Sequence, residues 1–398
     1  MTIASAVPDF YLGLKKNRKY IRILVLILYT LPLFSTHPKF IVVLEDSKTE
    51  KIKAAQSGPS EIMQIGMGFW ASKVLLTAVK FGLFTLLAPE ASSANQIKEK
   101  LGLRCAPRHV FDWLDALVSL GFLERSGILE NALYSNTPQT GAFLDKNKPS
   151  YMGGILEMAN NRLYKFWNDL DEGLLTGQPQ NEGKGRPSGN MEFFTELYKD
   201  DTKLNEFMNA MSGIQTGNFL ALVSKFDFGQ YDTMLDIGGA DGWLSIQVCL
   251  HHPTIHCTTY DLPPVGPVAK RKIAAFNLAD RISIASGDFN HDPWPQATVI
   301  TMGNILHGMD EDGKQRLIEK IYDVLPKNGV FIAIENIIDN ERRQNTFGLL
   351  MSLNMLVENG DAFDYTLNDM ERWTKKAGFT RTELVSLAGP TSGAISYK

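Results

Sequence analysis

The sequence predicts an α/β protein: a doubly wound parallel sheet preceded by a smaller, mainly helical region. Two observations predict it. From residue 232 onward, short apolar runs alternate with amphipathic helical stretches, the order that builds a parallel sheet wrapped by helices. Before that, residues 93–137 read helix, turn, helix, then two short strands joined by a turn, the order of a winged helix-turn-helix. The 398 residues, 44% hydrophobic and 21% charged with a formal net charge of −4, are ordinary for a soluble chain of two or three domains. Neither sign of charge dominates, so the composition does not point to nucleic acid or an acidic membrane surface. Cys105, Cys249 and Cys257 are an odd set without metal-ligand spacing, which fits a reduced, cytoplasmic chain and no bound metal.

The N-terminal 56 residues are expected to lie outside the folded core. "KKNRKY" (15–20) precedes the apolar run "IRILVLILYTLPLF" (21–34), a layout shared by signal peptides and anchors. The run carries Arg22 and Pro32 and is short for a hydrocarbon core of roughly 30 Å. A spanning helix and membrane contact through this run are therefore disfavoured, while a peripheral hydrophobic segment and a simple extension both fit. "SGPSEIMQIGMGFWASKVLLTAVKFGLF" (57–84) then turns strongly helical. Trp70, Val74, Ala78 and Phe81 form one stripe, and Phe69, Leu75, Leu76 and Val79 cover other faces. Such a helix needs burial on several sides, either against a second subunit or at the centre of a domain.

"SANQIKEKLG" (93–102), "APRHVFDWLDALVSLG" (106–121) and "FLERSGILENALYSNT" (122–137) supply the winged-helix order. A DNA-reading version needs a basic second helix. Here that helix sets Asp112 and Asp115 against Arg108 and is otherwise apolar, so packing is expected of it. Residues 151–227 read as helices interrupted by "TGQPQNEGKGRPSGN" (176–190), a polar, Gly- and Pro-rich stretch expected at the surface. Expected domains are thus 57–150 (winged helix), 151–230 (helical linker and acceptor region) and 231–398 (sheet). The strand candidates are "TMLDIGG", "IHCTTYD", "ISIASGD", "TVITMGN" and "VFIAIEN".

"MLDIGGADGWLSIQV" (234–248) is a strand carrying Asp236, a Gly-rich turn and a helix. Gly238, Gly239 and Gly242 allow a tight turn and close backbone approach to a ligand. A dinucleotide fingerprint would need glycines at 238, 240 and 243, but Ala240 and Trp243 stand at two of them, so a nicotinamide cofactor is disfavoured. The pattern instead resembles the first motif of class I S-adenosylmethionine (SAM) methyltransferases. Two later strand ends agree with it. Asp261 in "CTTYDLPPV" (257–265) suits both hydroxyls of a ribose, and Asp288 with Phe289 in "ASGDFNHDPWP" (285–295) suits an adenine amino group and ring face. Each acid alone could be a strand-end cap; three in order argue for the cofactor.

With "LDIGGADG", "YDLPPV", "SGDFNHDPWP", "ILHGMDED", "IENII" and "FDYT" in this order, the chain resembles the small-molecule O-methyltransferases that include plant caffeic-acid and hydroxyindole enzymes and bacterial tailoring enzymes. The resemblance runs from about residue 60 to the C-terminus. It implies the class I, Rossmann-like SAM fold, SAM as cofactor, a small-molecule acceptor, and a homodimer formed through the winged-helix segment. It further implies SAM contacts at Asp236, Gly238, Gly239, Asp261, Asp288, Phe289 and Met302, a general base at His307, and acids orienting that base at Glu335 and Asp364. Met158, Trp167, Met211, Asn354 and Met355 fall where the family lines its acceptor pocket. The chain departs from the family at Gly308-Met309, where Asp-Trp usually follows the histidine, and at Gly303, often a lysine. Losing that aspartate removes an acceptor for a second substrate hydroxyl, so a vicinal diol is not expected.

A phenol of pKa ~10 is mostly protonated at neutral pH, so a neutral histidine that takes its proton during attack is chemically suited to O-methylation. A C- or N-methyltransferase, which needs no strong base, is the alternative. A non-catalytic SAM- or metabolite-binding regulator stands further off.

Overall fold

A computed structural model describes residues 58–148, 150–182, 184 and 198–398. The apolar run 21–34 and the rest of the expected extension lie outside these residues. The chain divides into two compact units between Phe69 and Trp70. In the first, the described residues include the helix Ser60–Gly66, which buries none of its side chains; Ile62 and Ile65 stand 77% and 84% exposed.

The second unit opens with the remainder of the helix Gly68–Lys80. Leu76, Ala78 and Val79 enter a core, while Trp70 is left 60% exposed. The helix Ala94–Lys100 begins at a Ser93–Gln96 capping box and Pro107–Ser119 begins with its proline at the first turn, both favourable starts. The strands β1 (Ser92–Ser93), β2 (Leu123–Ser126) and β3 (Leu133–Asn136) complete the winged-helix order in the sequence β1-β3-β2. Val110, Phe111, Leu114 and Leu117 of the second helix are buried, as the sequence predicts for a packing element. Asp115 accepts from Arg125 (2.6 Å) and from the Tyr134 hydroxyl (2.8 Å), so one of its acids holds the hairpin to the helix.

The larger sheet contains β4 (Thr233–Ile237), β5 (His256–Asp261), β6 (Ile282–Ser286), β7 (Val299–Gly303) and β8 (Val330–Glu335), all parallel and all foreseen from sequence. It also contains β9 (Arg381–Ser386) and β10 (Ser392–Tyr397), an antiparallel hairpin that the sequence reading did not include. The order is β6-β5-β4-β7-β8-β10-β9. The chain runs outward from β4 to β6 and then crosses back to β7. The crossing leaves a crevice at the C-terminal ends of β4 and β7, where α/β sheets hold ligands. Every residue of β8 is buried, as a central strand covered on both faces requires. Val330, Ile332 and Ile334 pack on one face, Phe331 and Ala333 on the other, and Glu335 ends the strand on the second face.

The stretch 176–190 is corrected in part. Gln180 and Asn181 are buried rather than at the surface. The Gln180 N–H donates to Val357 O and Asn181 Nδ2 to Glu358 O, pinning this segment to the helix Thr346–Asn359. The Asn181 side chain is accommodated inside because that helix end offers it a backbone carbonyl, while the Gln180 side chain donates to Gln178 O within its own segment.

Candidate active site

The turn after β4 is built from backbone. The N–H groups of Gly238 and Gly239 both donate to Tyr260 O on β5. Gly238 has φ +68°, and a Cβ at Gly239 would lie 2.2 Å from Thr259 Oγ1 and 2.9 Å from Asp236 O. Only glycine lets the chain pass so close to its neighbour strand. Asp261 Oδ2 accepts from Ala240 N (2.9 Å) and Oδ1 from Leu262 N (2.7 Å). Burial nevertheless pushes the Asp261 carboxyl up to about 6, against those two bonds. Together with Thr259, Val265, Gly266 and Ser286, Ala240 and Asp261 line a narrow crevice. Thr259 Oγ1 is buried without a hydrogen-bond partner among the described residues. A glycine turn without side-chain bulk, a carboxylate with lone pairs to spare and an orphaned hydroxyl fit an adenosyl group with its ribose hydroxyls.

The other expected cofactor residues fall into two groups. Asp288 and Phe289 lie just past β6, as expected: Asp288 Oδ1 caps the Asn290 N–H (2.8 Å), and Phe289 is partly buried against the core. Asp236 and Met302 sit deeper than a ligand-contacting side chain would. Asp236 is 4% exposed, bonded through Oδ1 to Thr301 Oγ1 (2.7 Å), and burial raises its carboxyl to about 7. Met302 is fully buried in the core. The strand pleat turns both side chains into the sheet faces, leaving the backbone of their strand ends nearest the crevice.

Sequence reasoning passed over Asp241. It is 1% exposed, takes the Ser212 hydroxyl on both oxygens (2.7 Å each) and pairs with Lys272 Nζ at 2.5 Å. It thereby fastens the helices Asp201–Lys225 and Gly266–Ala275 under the turn. Its place inside "GGADG" was the available signal.

The second half of the site lies beyond β7. Asn304 adopts φ +54°, and a single turn, Leu306–Gly308, carries His307. Glu335 Oε1 receives the N–H groups of Ile305 (3.1 Å), Leu306 (3.0 Å) and His307 (3.5 Å), so this acid shapes the turn itself. Its other oxygen stands 3.8 Å from His307 Nδ1, and Asp364 Oδ1 stands 3.5 Å from the same nitrogen. The structure therefore brings together the three residues expected to act as base and orienting acids. His307 is 9% exposed and each acid 1%. His307 Nδ1, Glu335 Oε2 and both Asp364 oxygens have no hydrogen-bond partner among the described residues. Burial raises the Glu335 carboxyl to about 7, with His307 opposing and Asp364 adding to the shift. Burial also disfavours the imidazolium, but the two acids more than offset it and hold the His307 pKa above its ordinary value. Nδ1 faces the acids, which leaves Nε2 turned away from them.

The helix Thr346–Asn359 packs against this turn and against Trp167–Asp169. Trp167 Nε1 donates to Asn354 Oδ1 (2.8 Å), and Asn354 and Met355 are each 8% exposed. The Trp167–Asn354 bond joins these two segments. Met158 and Met211 lie on a second pair of packed helices, Gly153–Met158 and Asp201–Lys225, both half-buried. Asn359, which the sequence did not single out, donates from Nδ2 to Gly308 O (3.3 Å), and its Oδ1 is buried without a partner among the described residues. A Cβ on Gly308 would point at it, 3.6 Å from Nδ2.

Two family models match the chain. Residues 167–380 match the model of an O-methyltransferase domain, and residues 63–146 that of an O-methyltransferase dimerisation domain. The chain belongs to this O-methyltransferase family. As a SAM-dependent O-methyltransferase it is 35% identical over 341 residues to the tetracenomycin polyketide synthesis 8-O-methyl transferase TcmO of Streptomyces glaucescens, covering 86% of this chain and 97% of that one. It is 28% identical over 318 residues to the N,N-dimethyltransferase OxyT of Streptomyces rimosus, covering 80% and 90%. Human N-acetylserotonin methyltransferase in complex with SAM superposes with a TM-score of 0.76 at 25% identity, over 89% of this O-methyltransferase and 98% of that chain.

Proposed function

We propose that this O-methyltransferase methylates a hydroxyl of a flat aromatic small molecule, with His307 as general base. The observation that carries the reading is the buried imidazole set 3.5 and 3.8 Å from two carboxylate oxygens that have no other partner among the described residues. SAM supplies an electrophilic methyl group on a sulfonium. The turn Gly238–Ala240, Asp261 and the Asp288–Phe289 strand end would hold its adenosyl part. His307 Nε2 takes the hydroxyl proton as the oxygen attacks. Glu335 and Asp364 then face the imidazolium at Nδ1, fixing the ring and stabilising its charge. Trp167, Asn354, Met355, Met158 and Met211 form adaptable walls for a planar acceptor. An aromatic acceptor is supported by the relatives' names, TcmO and acetylserotonin O-methyltransferase among them.

OxyT favours one other reading, transfer to nitrogen, in which His307 would be dispensable. Incubating the enzyme with methyl-labelled SAM and an extract of source metabolites separates the two, because product NMR reads the methylated atom. An N-methyl product formed equally fast by a His307→Ala variant would sink the base assignment.

We also propose that the enzyme is a homodimer. The dimerisation-domain match and the exposed Trp70 support it. Light scattering of the intact 44.4 kDa chain should read twice that mass, and a monomer at micromolar concentration would refute it.

A further inference from the structure

One buried charge beside the triad has no part in the reaction described above. Lys314 lies in the first turn of the helix Glu311–Val324, where an amphipathic pattern would place a solvated lysine, yet it is 0% exposed. Its ammonium donates to the carbonyl of Met309, two residues beyond His307. The same ammonium sits 3.5 Å from the centroid of the Phe363 ring, the residue before Asp364, and 6.0 Å from that of Trp373. One cation thus touches the chain on either side of the base and its acid. A desolvated ammonium over an aromatic face is a favourable contact, and the carbonyl satisfies one of its donors.

We propose that Lys314 is a positioning residue for methyl transfer: it ties the turn of His307 to the loop of Asp364 and supplies the positive charge that balances the two buried acids. The proposal rests on the reading of His307 as base.

The groups that face this cation come from four elements. Glu335 ends β8, Asp364 lies in the loop after Thr346–Asn359 with Tyr365 beside both of these acids, His307 lies in its own turn, and Asp310 and Glu311 start the lysine's helix. Glu311 is already engaged by Arg372 (2.7 Å) and Trp373 Nε1 (3.1 Å). Burial lowers the Lys314 pKa to about 8, and the four acids oppose that shift, so below pH 8 the ammonium is charged. A cation at this place opposes proton uptake by every member of the cluster, His307 included. Removing it raises each of these proton-binding steps, whichever group carries the macroscopic titration.

The direct experiment is the pH profile of kcat/KM for the intact enzyme and its Lys314→Met variant, with folding checked by circular dichroism. The acid limb should move to higher pH by about half a unit to one unit, which lowers kcat/KM at the foot of the limb roughly 3- to 10-fold. SAM affinity by calorimetry should stay unchanged. A purely structural lysine would lower the melting temperature and leave the limb in place, and that result overturns the proposal. If the methionine variant does not fold, Lys314→Gln takes its place. A further measurement leaves the lysine intact. In ¹⁵N-lysine-labelled protein, Glu335→Gln removes an anion and should lower the pH at which the Lys314 ammonium titrates; an unmoved titration also overturns it. An enzyme with no acid limb at all would instead count against His307 as the base.

Discussion

Asp261 and Glu335 both end strands of the same sheet, on opposite sides of the crossing point, and their carboxylates are used differently. Both oxygens of Asp261 accept backbone N–H groups, from Ala240 and Leu262. Glu335 gives one oxygen to three N–H groups of the His307 turn and leaves the other facing the imidazole without a hydrogen bond. Asp364 leaves both oxygens bare, and burial raises Glu335 further than Asp261, to about 7 against about 6. The cofactor half spends both oxygens of its acid on backbone geometry and leaves the Thr259 hydroxyl as its bare buried group. The base half keeps unsatisfied buried groups, which are costly in a resting fold and valuable where a proton has to move.

The widest test of this contrast substitutes one residue from each half. His307→Ala should lower turnover on a hydroxyl acceptor by roughly 10²–10⁴-fold while SAM affinity holds. Asp261→Ala should do the reverse and weaken SAM binding by on the order of 10²-fold, since hydrogen bonds to a charged group are worth about 1.5–3 kcal/mol each. Calorimetry and single-turnover rates on the two variants check both. If each variant lost binding and rate alike, the division of labour would be wrong.

How much of this could be read from sequence follows the same divide. Five parallel strands, the glycine turn and the strand-end acids each carry their meaning within a few adjacent residues, so local pattern finds them. His307, Glu335 and Asp364 were located by their order along the chain, and the structure brings them together. What escaped depends on packing between distant segments. Lys314 in "DEDGKQRLIEKIYDVL" has the look of a solvated helix position, and its burial follows from Phe363 and Met309 closing over it. Asn359 matters because its helix end meets Gly308. The hairpin β9–β10 was missed because exposed and half-buried side chains along β9 blur its alternation.

A smaller effect bears on the cost of the base half. The Glu335 carboxyl is raised from its ordinary 4.5 to about 7 in the folded chain. Between those values the folded state holds a proton that the unfolded state has released. The stability this proton contributes is fully present below the unfolded value and is lost as pH rises through about 7, a change of about 3 kcal/mol. Glu335→Gln keeps an oxygen for the three N–H groups and offers an amide to the bare acid opposite. The wild type should therefore lose more stability than this variant between about pH 5 and pH 8, while the variant loses activity. Parallel melting curves across that range would show that the carboxyl is not held protonated by the fold.

The smallest expected effect concerns the acceptor wall. Where the family usually has an aspartate, this chain has Gly308, and the space in front of it is met by Asn359 from another helix. Asn359 Oδ1 is a buried acceptor without a partner among the described residues, so an acceptor molecule bearing a second hydroxyl or N–H near the methylated oxygen could satisfy it. An amide oxygen accepts without bringing a charge, so it would bind such a group without competing with Glu335 and Asp364 for the His307 proton. Asn359→Leu should then raise KM roughly tenfold for acceptors carrying that second donor, the worth of about one neutral hydrogen bond, and change little for acceptors lacking it. Equal losses for both acceptor types would mean that Asn359 only holds the Gly308 carbonyl. A loss confined to the donor-bearing acceptors would mean that this chain recovers, from a different helix, part of the recognition that Gly308 gave up.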